Sequence, residues 1–141
     1  MITYKSLNLA EAHLILDAAQ KKCEEMKAQE VLCVADPAGY PIALRRLDGG
    51  KVSSVQIALN KAFTAAAHRK PTHVYKNAQP GGDAFGIFTQ HDGRFTTFVG
   101  GFPIVVDGQV VGSVAASGGN AEEDTSVCQA GIEAFMKHIG K

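Results

Sequence analysis

The stretch Phe102-Pro103-Ile104-Val105-Val106-Asp107-Gly108-Gln109-Val110-Val111-Gly112-Ser113-Val114-Ala115-Ala116-Ser117-Gly118-Gly119 decides how this chain folds. Asp107-Gly108 between two apolar runs is the strongest two-residue hairpin signal in the sequence. The run before it predicts one strand, and Gln109 to Ala116 predicts the strand that returns. Ser117-Gly118-Gly119-Asn120 then reads as a loop between a buried strand and a final helix. Glu122-Glu123-Asp124 opens that helix, where acids suit the positive end of the helix dipole. Val127, Cys128, Gly131, Ile132, Phe135 and Ile139 make its apolar stripe.

A second hairpin lies upstream. Val31 to Ala35 is a nearly unbroken apolar run, as expected of a central strand. Asp36-Pro37-Ala38-Gly39 has the chemistry of a turn, and Tyr40 to Leu47 runs back. Leu7 to Gln29 predicts a helix capped by Asn8, with Glu11 three residues on. Its inner side is read as Leu7, Leu14, Ala18 and Met26, flanked by Ile15 and Ala19. Ser53 or Ser54 can cap another helix reaching His68. Val55, Leu59, Ala62, Phe63 and Ala66 form its core stripe, and Ile57, Lys61, Thr64 and His68 share the other side. Pro71 begins an irregular or helical piece. Gln79 to Asp83 reads as a loop, and Ala84 to Thr89 and Arg94 to Val99 as strand-like runs. Gly100-Gly101 interrupts before Phe102, as a bulge or a close ligand approach would require.

Hairpins imply an antiparallel sheet covered by helices. With 141 residues, 45% apolar and 20% charged, the chain suits a single α+β domain over residues 1–141. Its 14 basic and 14 acidic side chains cancel, so it exerts no general pull on nucleic acid or anionic membranes. No apolar stretch approaches the roughly 20 residues that span a bilayer, and the N-terminus lacks a signal-peptide pattern. Cys23, Cys33 and Cys128 are odd in number and far apart, the pattern of reduced, buried thiols in a cytoplasmic protein.

No catalytic signature fixes a reaction. The Ser117-Gly118-Gly119 loop exposes backbone N–H groups at a helix start, which suits a small ligand or, equally, a tight turn. It lacks the lysine and spacing of a phosphate-binding loop, and the acids that follow disfavour free phosphate. Ser117 stands outside any Gly-x-Ser-x-Gly elbow. His13, His68, His73, His91 and His138 are dispersed, so no zinc pair forms and no metal site is expected. His68 shares a helix side with Lys61 and Thr64, a group suited to an imidazole ligand with nearby carboxylates.

Five segments in order resemble one family. They are Val34 to Gly39, Arg45 to Gly49, Asn60 to Ala65, Gly100 to Ile104, and Gly108 through Gly112 to Gly119; Glu123-Asp124 and Ala130-Gly131 close the pattern. Together they resemble the GlcG/HbpS-like family, the haem-degrading domain family that includes the C-terminal domain of PduO-type proteins. Ala115-Ala116 stands where that family usually has Gly-Val. The resemblance implies a profilin-like α+β fold with an antiparallel sheet of about five strands between helices. It also implies a homo-oligomer, a tetramer or octamer, that binds haem or a related tetrapyrrole. The setting it implies is cobalamin-dependent diol, glycerol or glycolate metabolism. On that expectation Lys61, Thr64, Gly101, Ser117, Gly118 and Gly119 bind the ligand, with His68 and His13 as candidate iron ligands. An enzyme acting on a small metabolite or corrinoid and a purely structural assembly protein are the alternatives.

Overall fold

The computed structural model describes residues 1–141. In chain order the elements are α1 (Leu9–Met26), β1 (Val31–Ala35), β2 (Pro41–Arg46), α2 (Val52–Ala67), β3 (Gly101–Val106), β4 (Gln109–Ser117) and α3 (Ala121–His138). Two single-turn 3-10 helices, Lys76–Ala78 and Ile87–Thr89, lie in the long connection between α2 and β3. No helix is long and apolar enough to cross a membrane.

The four strands form one antiparallel sheet in the order β2-β1-β4-β3. The alternation of side chains along a strand sorts its core into two faces. Leu32 and Val34 of β1, with Val114 and Ala116 of β4, pack under α1 and α3. Val31, Cys33, Ala35 and Ala115 point the other way and pack under Ala58 and Ala62 of α2. β1 is therefore buried on both faces, which is why its sequence is apolar without alternation.

Local chemistry sets the helix starts. Asn8 accepts from the Glu11 N–H at 2.9 Å while Glu11 accepts from the Asn8 N–H at 2.8 Å, a complete capping box. Asn120 and Glu123 repeat it at α3. At α2, however, Lys51 holds the capping position and makes no side-chain cap bond, so neither Ser53 nor Ser54 is the cap. The inner side of α1 is also rotated from the expected one. Ala12, Ile15, Leu16, Ala19 and Cys23 are buried, and Leu14, Ala18 and Met26 sit at its margin.

The sheet has four strands rather than about five. Neither Ala84–Thr89 nor Arg94–Val99 joins it. Around residue 86 the backbone bonds locally, Ile87 N–H to Ala84 C=O and Thr89 N–H to Gly86 C=O, so it turns instead of extending. The 94–99 segment gives its bonds to threonine side chains. The Thr96 N–H donates to Thr64 Oγ1 at 3.0 Å, and the Thr72 hydroxyl donates to the Phe98 carbonyl. These threonines draw the segment over α2 and away from the edge of β3.

Candidate functional site

Lys61 lies on α2 between the sheet and the start of α3, and it is only 3% exposed. Its ammonium donates to the Ala116 carbonyl at 2.9 Å and to Asp124 Oδ2 at 3.1 Å. Asp124 Oδ1 accepts the Gly119 N–H at 3.1 Å. One ion pair thus ties α2, the end of β4 and the first turn of α3 together. Gly100 makes room for it. Its φ of +122° suits glycine, and a Cβ there would stand 2.7 Å from both Lys61 Nζ and the Ala116 carbonyl oxygen.

Beneath this pair lies Glu30, fully buried, with neither carboxylate oxygen hydrogen-bonded. Burial pushes its carboxyl up to about 9, and the neighbouring Asp124 carboxylate pushes the same way. Glu30 is therefore a neutral carboxylic acid at neutral pH. A Cβ on Gly119 would sit 2.8 Å from both Glu30 Oε1 and Asp124 Oδ1, so the Gly119 position lies directly against both carboxyl groups.

Above the pair opens a cleft of about 390 Å³. The loop Ser117, Gly118 and Gly119 forms one wall, the first turn of α2 with Lys51, Ser53 and Ser54 another, and Lys61 and Asp124 the floor. A second cleft, of about 370 Å³, adjoins it and shares Ile57 and Phe98. Phe88 and Phe95 make this second cleft aromatic, and Phe88 and Phe98 are strongly exposed. The two together offer a polar end and an apolar, aromatic end.

The six expected ligand residues divide in two. Lys61, Ser117, Gly118 and Gly119 meet in the first cleft. Thr64 and Gly101 do not line it. Thr64 is buried, donating to the Asn60 carbonyl at 2.8 Å and accepting from Thr96. Gly101 is packed where a Cβ would meet the Lys61 carbonyl oxygen at 2.6 Å. The α2 side bearing Lys61 and Thr64 is thus not a free surface; only Ile57 and His68 of that group reach outward.

The two candidate iron ligands lie on opposite faces of the sheet, since α1 and α2 cover different faces. His68 stands against the rings of Tyr75 and Phe95, with centroids at 5.4 and 5.1 Å. Burial lowers its pKa, helped by the charges of Lys70 and His91. It is therefore a neutral imidazole near neutral pH, the form that binds a metal. His13 lies 3.2 Å from Arg45 through Nδ1. A guanidinium only donates, so Nδ1 accepts and the ring proton sits on Nε2.

A haem asks for an apolar slot, donors for its carboxylates and an imidazole for iron. Ile57, Phe88, Phe95 and Phe98 supply the slot, and Lys51 and the serines supply the donors. His68 lies one aromatic layer away, behind Phe95. The slot and the donors fit such a group, while no imidazole is among the lining residues. No three His, Cys, Asp or Glu side chains come together to hold a bare metal ion.

Sequence reasoning missed Glu30, the Asp124 partnership and the aromatic wall. The signal for Glu30 was present: a carboxylate directly before a strand buried on both faces has nowhere wet to go. Phe88 and Phe98 fall inside the two runs read as strands, so nothing in the sequence marked them as the wall of a cleft.

Comparison with known proteins agrees with this architecture. The chain is 34% identical over 133 residues to an uncharacterised 15.0 kDa protein from the dhaT-dhaS intergenic region of Citrobacter freundii, covering 94% of each. The crystal structure of Klebsiella pneumoniae ORFY superposes with a TM-score of 0.93 at 32% identity, over 96% of this chain and 94% of that one. The structure of a PduOC–haem complex superposes with a TM-score of 0.87 at 28% identity, over 92% and 94%. The family model described as haem-degrading protein HbpS-like matches residues 7–133, and the chain belongs to that family.

Proposed function

We propose that this protein is a homo-oligomeric binding protein for haem or a related tetrapyrrole, held in the two joined clefts. The observation that carries this reading is the apolar wall of Ile57, Phe88, Phe95 and Phe98 running into the polar Ser117-Gly118-Gly119 loop. A flat apolar ring with carboxylate arms matches that pairing of surfaces. A relative solved with haem, alike over nearly the whole chain, supports it. Ser117, Gly118 and Gly119 would meet the polar edge of the ligand, with Lys61 holding their loop through Asp124. Thr64 and Gly101 would act indirectly, by fixing the aromatic segment and the packing of α2. Bound haem would supply redox and ligand-exchange chemistry at iron. The chain's own part is to exclude water and seat the ring, with His68, packed on Phe95, as the candidate iron ligand.

The setting we assign is an accessory role in cobalamin-dependent diol, glycerol or glycolate metabolism in the cytoplasm, as the family resemblance implies. The exposed aromatic and aliphatic side chains Val52, Phe85, Phe88 and Phe98 near the clefts support self-association.

The test is a hemin titration followed at the Soret band. We expect a shifted band that saturates in the wild type and in His13→Ala, and changes position in His68→Ala. No shifted band in the wild type would refute haem binding; an unchanged one in His68→Ala would refute its assigned ligand.

A further inference from the structure

The polar cleft is bounded by the starts of two helices. α2 contributes Lys51, Ser53 and Ser54, and α3 contributes Ala121 and Asp124. Because Lys51 makes no cap bond, the first N–H groups of α2 lack a side-chain partner. A helix start carries partial positive charge, and Lys51 adds a full one.

Buried polar groups aimed at the same place make this more than a helix end. Ser54 and Ser117 are 3% and 4% exposed, yet both line the cleft. Neither hydroxyl is used by another group of the chain. Lys61, on the floor, spends two of its three N–H groups on Ala116 and Asp124. The one carboxylate lining the cleft, Asp124, is already satisfied by Lys61 and the Gly119 N–H. The cleft thus presents donors with no free acceptor of comparable strength. Glu122 and Glu123 stand close by on α3, which disfavours a doubly charged phosphate and leaves a single negative charge as the better match.

We propose that this cleft recognises a carboxylate group, through the uncapped start of α2, Lys51 and the hydroxyls of Ser54 and Ser117. This rests on the reading of the cleft as the ligand site and deepens it. The carboxylate has two possible sources, a propionate arm of a tetrapyrrole lying in the adjoining aromatic cleft or a free small carboxylic acid.

The experiment uses the full chain and three probes: hemin, hemin dimethyl ester, whose propionates are masked, and succinate. The discriminating variant is Ser53→Asp. A carboxylate at the second position of α2 suits the helix dipole, so the fold is retained, while its charge repels another carboxylate at the cleft. If the source is a propionate, hemin binds the wild type about tenfold tighter than its ester, the value of one charge-assisted hydrogen bond, and Ser53→Asp removes the difference. If the source is a free acid, succinate raises the melting temperature of the wild type and not of Ser53→Asp. Equal binding of hemin and ester with no succinate shift overturns the carboxylate inference and leaves the tetrapyrrole reading standing. A succinate shift confined to the wild type, with neither hemin form bound, keeps the inference and removes the tetrapyrrole. A preference or shift that persists in Ser53→Asp, or no response to any probe, overturns the inference.

Discussion

Glu30 shows what one side chain does to the behaviour of the whole. Its folded carboxyl titrates near 9, against an ordinary 4.5 in the unfolded chain. Between those values the folded state holds a proton that the unfolded state has released. Stability therefore falls as pH rises through this window, by at most about 1.4 kcal/mol per pH unit, and levels off above it. Glu30→Gln keeps the shape and removes the titration. Melting curves from pH 5 to 9 should show the wild type losing stability relative to Glu30→Gln as the pH rises; parallel curves would contradict a buried, neutral Glu30. The three cysteines are simpler. All are buried and unpaired, and burial pushes Cys23 and Cys33 up to about 12 and Cys128 well above its usual value. Thiols held in that form are poor nucleophiles.

Among the elements, α2 carries the most consequence. Lys61 ties it to α3 through an ion pair in which both side chains are almost wholly buried. Removing one partner leaves the other charged and alone, so Lys61→Ala should cost about 3–5 kcal/mol in denaturant unfolding. A cost below about 1 kcal/mol, the value of an exposed pair, would contradict the burial. This also accounts for what the sequence made legible. Asp107-Gly108, the Asn8 capping box and the apolar run of β1 are local chemistry, and all stand as read. The spacing of the two sides of α2 was legible, but the burial of Lys61 and Thr64 on the second was not. Lys61 and Thr64 are polar, and only partners 30 to 63 positions away, Arg94 and Asp124, make their burial possible. Arg94 to Val99 reads as a strand for the same reason: its partners, Thr64 and Thr72, are distant threonine side chains with no signal in the local pattern. Within the candidate site, Ser117 to Gly119 was legible as a glycine loop after a strand. Its acid, Glu30, and its aromatic wall were not, because the fold alone brings them there.

At the scale of the molecule, two helices close one face of the sheet and α2 the other. The irregular 68–100 segment forms the aromatic side of the clefts with α2. Aromatic side chains left this exposed suit a second surface as well as a ligand. Light scattering should return a multiple of the 14.9 kDa protomer mass; a monomer at micromolar concentration would contradict self-association. The central claim is that a tetrapyrrole lies in the joined clefts, and Phe98 is the exposed ring that both share. Phe98→Asp places a charge on that wall without touching the core. The most direct measurement is therefore the hemin dissociation constant of Phe98→Asp beside the wild type. The account predicts a loss of tenfold or more, about 1.4 kcal/mol, with the melting temperature unchanged. Equal affinity in the two proteins would place the ligand elsewhere and contradict it.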